Sequence, residues 1–173
     1  MRSKEYFKKR FLYIVPFTWQ DNFARTLSDM IKIMKSFFKG QFIAAFLIGV
    51  FEFIGLKIIG VDYAPLLAII GGVSNMVPVI GPIIGAVPSI AIALISSPIK
   101  AAFVLFLFIF VQQIDNFFIS PRVVEGRLGI HPVVTIIVII IGGELFGILG
   151  IFLAIPVFSM LKVIFTNSFE KLV

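Results

Sequence analysis

The sequence predicts an all-α protein, a polytopic transmembrane helix bundle with broken or re-entrant helical hairpins and an N-terminal amphipathic helix. Three observations predict it. First, 60% of the 173 residues are apolar and only 14% are charged, with a mean hydropathy of +1.11. Soluble domains hold about 45–50% apolar and about 25% charged residues. Second, long windows offer water no polar face. Gly40 to Gly60 holds only Glu52 and Lys57, Lys100 to Pro121 only Lys100 and Asp115, and His131 to Leu161 only His131 and Glu144. Roughly 20 such residues span a hydrocarbon core of about 30 Å. Third, prolines and glycines break some of these windows where a plain span would run on.

The elements follow in order. MRSKEYFKKRFLYIVP reads as a loop or helix end closed by Pro16. Trp19, Phe23, Leu27, Met30, Ile31, Met34, Phe37 and Phe38 then recur at spacings of three and four, with Asp21, Arg25, Asp29, Lys32 and Lys35 mostly off that stripe. This is an amphipathic helix. It is expected to lie at the interface or in the cytoplasm and to lead into the membrane. Residues 1–39 thus form a basic segment, 40–166 a transmembrane bundle and 167–173 a short tail. The first segment holds nine basic residues against three acidic ones, an excess equal to the whole net charge of +6. Beside a membrane span this marks the cytoplasmic side. Lipid headgroups are the partner expected for these charges, at about 1 kcal/mol each near the surface, and nucleic acid is not.

Residues 41–59 form a first span, running outward, and Val61-Asp62-Tyr63 a turn. Between 64 and 97 stand Pro65, Pro78, Pro82, Pro88, Gly71, Gly72, Gly81 and Gly85. Proline removes a backbone donor, and broken backbone at membrane depth survives only when buried in protein or lining a watery cavity. Two helical arms joined by an unwound or re-entrant segment around Ser74–Gly85 are therefore expected; two ordinary spans with a short loop are the alternative. Ala101–Ile119 makes the next span, followed by a hydrophilic loop with Arg122, Glu125, Arg127 and Gly129. Glycines 142, 143, 147 and 150 then divide the last apolar stretch into a tight helical hairpin. Lys162 and Lys171 place the C-terminus in the cytoplasm, which requires an even number of full crossings, most simply four, plus partial ones.

Gln112, Asp115 and Asn116 are the strongest local signal. On a helix, 115 and 116 lie about 60° and about 40° on either side of 112, so the three share a face, with Gln113 at its edge. A functional role is the default for an ionisable residue inside a membrane segment; capping of the neighbouring loop is the other reading. Glu144 is either a carboxyl poised to exchange a proton or cation, or a hairpin-tip residue bonded to helix-end amides. His131, before Pro132, is expected at a loop or helix start. Cysteine is absent, which excludes disulfides and thiolate chemistry. No secretory signal is evident, because the first long apolar run begins only near Phe42. HExxH, GxSxG and P-loop patterns are missing too, and nothing beyond the preceding glycines supports Ser74 as a nucleophile with His131. No enzyme, cofactor or metal site is expected.

Three blocks taken together resemble the autoinducer-2 exporter family of membrane proteins. They are Asn75-Met-Val-Pro-Val-Ile-Gly-Pro-Ile-Ile-Gly85; Gln112-Gln-Ile-Asp-Asn through Ile119-Ser-Pro-Arg to Gly129-Ile-His-Pro132; and Ile141-Gly-Gly-Glu-Leu-Phe-Gly-Ile-Leu-Gly150 with Ala154-Ile-Pro156. Their order and spacing match as a set, from about residue 8 to about residue 166. Asp115 departs from the family's usual glutamate, keeping the charge at shorter reach. Members are longer and carry further spans ahead of the basic segment, so the resemblance implies that this chain corresponds to their C-terminal half.

The resemblance implies a permease-like transporter in the cell (cytoplasmic) membrane that exports a small polar solute such as a signalling molecule, its expected partners being that solute and a coupling proton or sodium ion. Sodium- or lithium-coupled proton antiport is the alternative, and a non-transporting assembly piece a third reading. A homo-oligomer is expected. The hairpin with Asn75, Pro78, Gly81 and Pro82 would line the solute path together with Gln112, Gln113, Asp115 and Asn116, and Glu144 could carry the coupling proton. Broken helices supply the unpaired amides and carbonyls that transporters use for this purpose.

Overall fold

The structure is a computed structural model that describes residues 20–120 and 131–169. The expected N-terminal turn at Pro16, the start of the amphipathic stripe, the hydrophilic loop at 121–130 and Lys171 lie outside the described residues. All described elements are helical: α1 (Gln20–Ile59), α2 (Ala64–Ser74), α3 (Gly81–Ser96), α4 (Pro98–Ile114) continued by a π-helical turn (Asp115–Ile119), and α5 (Pro132–Phe169). Residues 36–155 form one compact unit, and 20–35 with 156–169 belong to a second.

The helix boundaries follow from local chemistry. α1 ends at Gly60, whose φ of +73° is one a side chain would resist. Gly60 N–H donates to Lys57 O, and Val61 N–H to Leu56 O, satisfying two carbonyls left over at the helix end. Each later helix begins with proline in its first turn, Pro65, Pro82, Pro98 and Pro132, where a missing N–H costs nothing. Ser97 caps α4 by accepting from Ile99 N–H at 3.2 Å. His131 does the same for α5, its Nδ1 accepting from Val133 N–H at 3.3 Å. The helix-start expectation for His131 therefore holds.

In the 36–155 unit, α1 presents a buried stripe: Phe37, Gln41, Ala44, Ala45, Ile48, Glu52 and Leu56. Leu56 joins Leu67 of α2, Ala93 of α3 and Val104 and Phe108 of α4 in one apolar core, while Ala44 and Ile48 meet Val111 and Ile119 in another. Glycines let these helices approach closely. A Cβ on Gly72 would lie 2.7 Å from Ala45 O, and one on Gly85 would lie 2.6 Å from Gly71 Cα. Lys100 Nζ donates to Gly60 O at 2.8 Å, tying the start of α4 to the end of α1.

α2 and α3 are the two arms expected from the proline and glycine pattern. At 1.5 Å per residue they measure about 16 and about 24 Å, each short of a bilayer core. α5 is folded as well. Gly147 (φ +61°, ψ −142°) breaks its helical path, and Gly142 and Gly150 lie backbone against backbone across the reversal. This is the tight hairpin that the glycine spacing indicated. Its second arm meets α1 through Phe152, whose ring stands 5.9 Å from Phe37 and 5.8 Å from Phe38. Three helices, Arg25–Ile59, Pro98–Ile119 and Val133–Phe165, are long and apolar enough to cross a membrane by length and composition. The reversal at Gly147 leaves the third with a first arm of only about 21 Å. Apolar side chains such as Phe46, Phe106, Ile136 and Phe146 are exposed, as a lipid-facing surface requires.

In the second unit, Leu27, Met30 and Met34 are half-buried while Lys32 and Lys35 are exposed. Lys32 Nζ pairs with Asp29 at 2.9 Å, an exposed contact worth at most about 0.5 kcal/mol. Pro156 and Ser159 are buried.

Candidate functional site at the broken hairpin

Between α2 and α3 the chain turns within residues 75–80. Asn75 closes α2, its N–H donating to Gly71 O at 2.9 Å, and Val77 N–H donates to Ser74 O at 2.9 Å. Ile80 N–H then donates to Pro78 O at 2.8 Å, spanning Val79, whose φ is +68°. That is a γ-turn of the positive-φ kind, rare and strained, here on a β-branched residue. Pro78 fixes the approach to it. Gly81 completes the reversal: a Cβ there would collide with Ser74 O and lie 2.7 Å from Asn75 Cα. Pro82 starts α3. The sequence-predicted hairpin residues Asn75, Pro78, Gly81 and Pro82 therefore build one compact corner.

Ending a helix leaves carbonyls without partners. Gln41 on α1 supplies them: its Nε2 donates to Asn75 O at 3.2 Å and to Met76 O at 2.9 Å. The Asn75 side chain points the other way, its Nδ2 donating to Asp115 Oδ2 at 3.4 Å. Ser120 Oγ donates to the other oxygen, Asp115 Oδ1, at 2.9 Å. Gln41, Asn75 and Asp115 are all buried. The result is a buried polar chain, Gln41 to Asn75 to Asp115 to Ser120, joining α1, the hairpin corner and the end of α4.

The π-helical turn is what brings Ser120 in. Ser120 N–H donates to Asp115 O, five residues back, so residues 115 and 120 stack. In a regular α-helix residue 120 would lie about 140° round from residue 115. π-turns occur frequently at functional sites. The expected polar face is not shared by all its members. Asp115 turns inward, while Gln112, half-buried, donates through Nε2 to exposed Asn116 Oδ1 at 3.1 Å. Gln113 is exposed. Glu144 is exposed near the tip of the α5 hairpin, three residues before Gly147, and no described hydrogen bond links it to the Asp115 group.

Of the residues singled out in the sequence, Asn75 and Asp115 come together, and Gln41 and Ser120, not singled out, join them. Gln41 had a signal, since it continues the stripe through Phe37 by one helical turn. Ser120 had none, because its position depends on the π-turn. Among the described residues no cluster of His, Asp or Glu could hold a metal ion. What the group offers is a buried carboxyl and amides beside a strained, unwound backbone. Such an arrangement can hold a hydroxyl-rich solute or a cation.

A sequence model described as AI-2E family transporter matches residues 1–170. The chain is 34% identical over 154 residues to YueF of Bacillus subtilis, covering 89% of this chain and 42% of that protein. It is 35% identical over 164 residues to YrrI of the same organism, covering 94% and 46%. To YhhT of Escherichia coli it is 33% identical over 116 residues, covering 66% and 33%. All three are provisionally named as transport proteins. The chain spans less than half the length of these relatives. No solved structure matches it.

Proposed function

This chain belongs to the AI-2E transporter family, and from that premise we propose that it forms the solute-handling part of a permease moving a small polar solute across the cell membrane. The observation that carries this reading is the buried Gln41–Asn75–Asp115–Ser120 chain at the corner of a broken helical hairpin. Polar groups enclosed by apolar helices are costly to bury, and an ionisable one in a membrane segment marks a functional site by default. In this reading Asp115 and Asn75 contact solute, and Gln112 and Asn116 line the approach from the lipid-facing side. Glu144 serves as an accessory carboxyl at the α5 tip. The basic N-terminal segment and the C-terminus face the cytoplasm, and the protein acts as a homo-oligomer.

The acidic character of Asp115 favours a second reading, sodium- or lithium-coupled proton antiport. One experiment separates these from a purely assembling role. Solute and proton flux are measured in proteoliposomes across pH and sodium gradients, with Asp115→Asn as the variant. Loss of flux in the inserted, helical variant supports the site. Sodium-dependent proton movement without solute response favours antiport. Wild-type flux in Asp115→Asn removes Asp115 from the mechanism.

A further inference from the structure

α1 carries a second buried polar side chain that has no place in the Asn75–Asp115 group. Glu52 is 3% exposed, and its Oε2 is enclosed without any hydrogen-bond partner among the described residues. It lies on the same stripe as Gln41, eleven residues on, which is about 16 Å further along the helix. One turn to either side stand Ile48 and Leu56, each part of an apolar core. Gly71 of α2 faces the carboxyl: a Cβ there would collide with Oε2 and lie 2.7 Å from Cδ. Gly71 in turn touches Gly85 of α3. Two glycines on successive helices thus hollow out the space that this carboxyl fills.

No described charge is placed to balance it. α2 and α3 carry no ionisable side chain. Lys100, the one charged residue of α4, donates to Gly60 O. On α1 itself the neighbouring Lys57 is exposed. Asp115 is engaged with Asn75 and Ser120, and Glu144 is exposed near the α5 tip. At 3% exposure Glu52 offers almost no surface to a side chain from outside the described helices. An unpaired charge so placed is expensive. A metal cation would need several oxygen ligands, and no group of three or more His, Asp or Glu gathers here among the described residues. A proton needs no second ligand.

We propose that the Glu52 carboxyl, seated in the glycine notch of α1, α2 and α3, is a proton-binding site that carries the proton coupled to solute movement. The coupling role rests on the transport reading above; the proton site does not. Infrared spectroscopy of the whole reconstituted chain tests it. At neutral pH the wild-type protein should show the carbonyl stretch of a carboxylic acid without hydrogen bonds, at the high-frequency end of the acid region. The band should vanish in Glu52→Gln, persist in Asp115→Asn and be unmoved by excess sodium. Should Glu52→Gln fail to fold, a shift of the band in Glu52→Asp supplies the assignment. Absence of the band from wild-type protein, or a sodium-sensitive carboxylate band in its place, overturns the proposal. Because the band is read without any flux, its failure leaves the Asp115 transport test standing, and a failure of transport leaves this site standing.

Discussion

Replacing Gly85 by alanine probes the seam that holds the hairpin arms and the Glu52 notch together. An ideal Cβ at position 85 lies 2.6 Å from Gly71 Cα and 3.4 Å from Gly71 N. Ordinary contact begins at 3.4 Å, so α2 and α3 must part by about 0.8 Å. The obstacle is backbone, which no rotamer change can remove. Overpacking of this kind costs up to about 3 kcal/mol, and the better helix propensity of alanine returns about 1 kcal/mol. The net loss is about 2 kcal/mol. For a chain of this size that lowers Tm by roughly 4–8 °C, read from thermal unfolding of the detergent-purified protein by circular dichroism. Gly143→Ala is the control, because its Cβ meets only the Ile151 side chain, at 3.1 Å from Cγ1 and 3.4 Å from Cδ1, which can yield. An unchanged Tm for Gly85→Ala, or a loss no larger than that of Gly143→Ala, would refute the close-packed seam.

Two further substitutions address the backbone. Val79→Gly should raise stability by about 1 kcal/mol, since relief of a strained positive φ outweighs the added chain entropy. Val79 is 72% exposed, so little packing is lost; a fall in Tm would show that the γ-turn is not strained. Gly147→Ala meets no atom within 4 Å, yet its φ and ψ belong to glycine alone. It should cost about 1–3 kcal/mol and lengthen the distance between spin labels on the two arms of α5. An unchanged distance together with an unchanged Tm would contradict the reversal.

The two broken hairpins were legible because proline and glycine act on the backbone locally. Pro78, Gly81 and Pro82 mark one corner, and Gly142, Gly147 and Gly150 the other, whatever surrounds them. Asn75 and Asp115 were legible as polar residues in apolar windows. Their meeting was not, because it depends on how α2 and α4 pack. The π-turn left no mark in the sequence, and Asp115 faces inward while Gln112 and Asn116 pair with each other. Glu52 stood in the sequence only as one of two ionisable residues, with Lys57, in an apolar window. Only its place on the buried stripe, opposite Gly71, separates the two.

The reversal at Gly147 also bears on how this protein is threaded through its membrane. A hydropathy window reads 33 consecutive apolar residues, Val133–Phe165, as a single passage. That reading puts His131 and the end of α5 on opposite faces of the bilayer. Within the 36–155 unit the chain doubles back after Gly147, with Gly150 against Gly142, so the window is not one continuous passage. A count of hydropathy windows is therefore not a count of crossings.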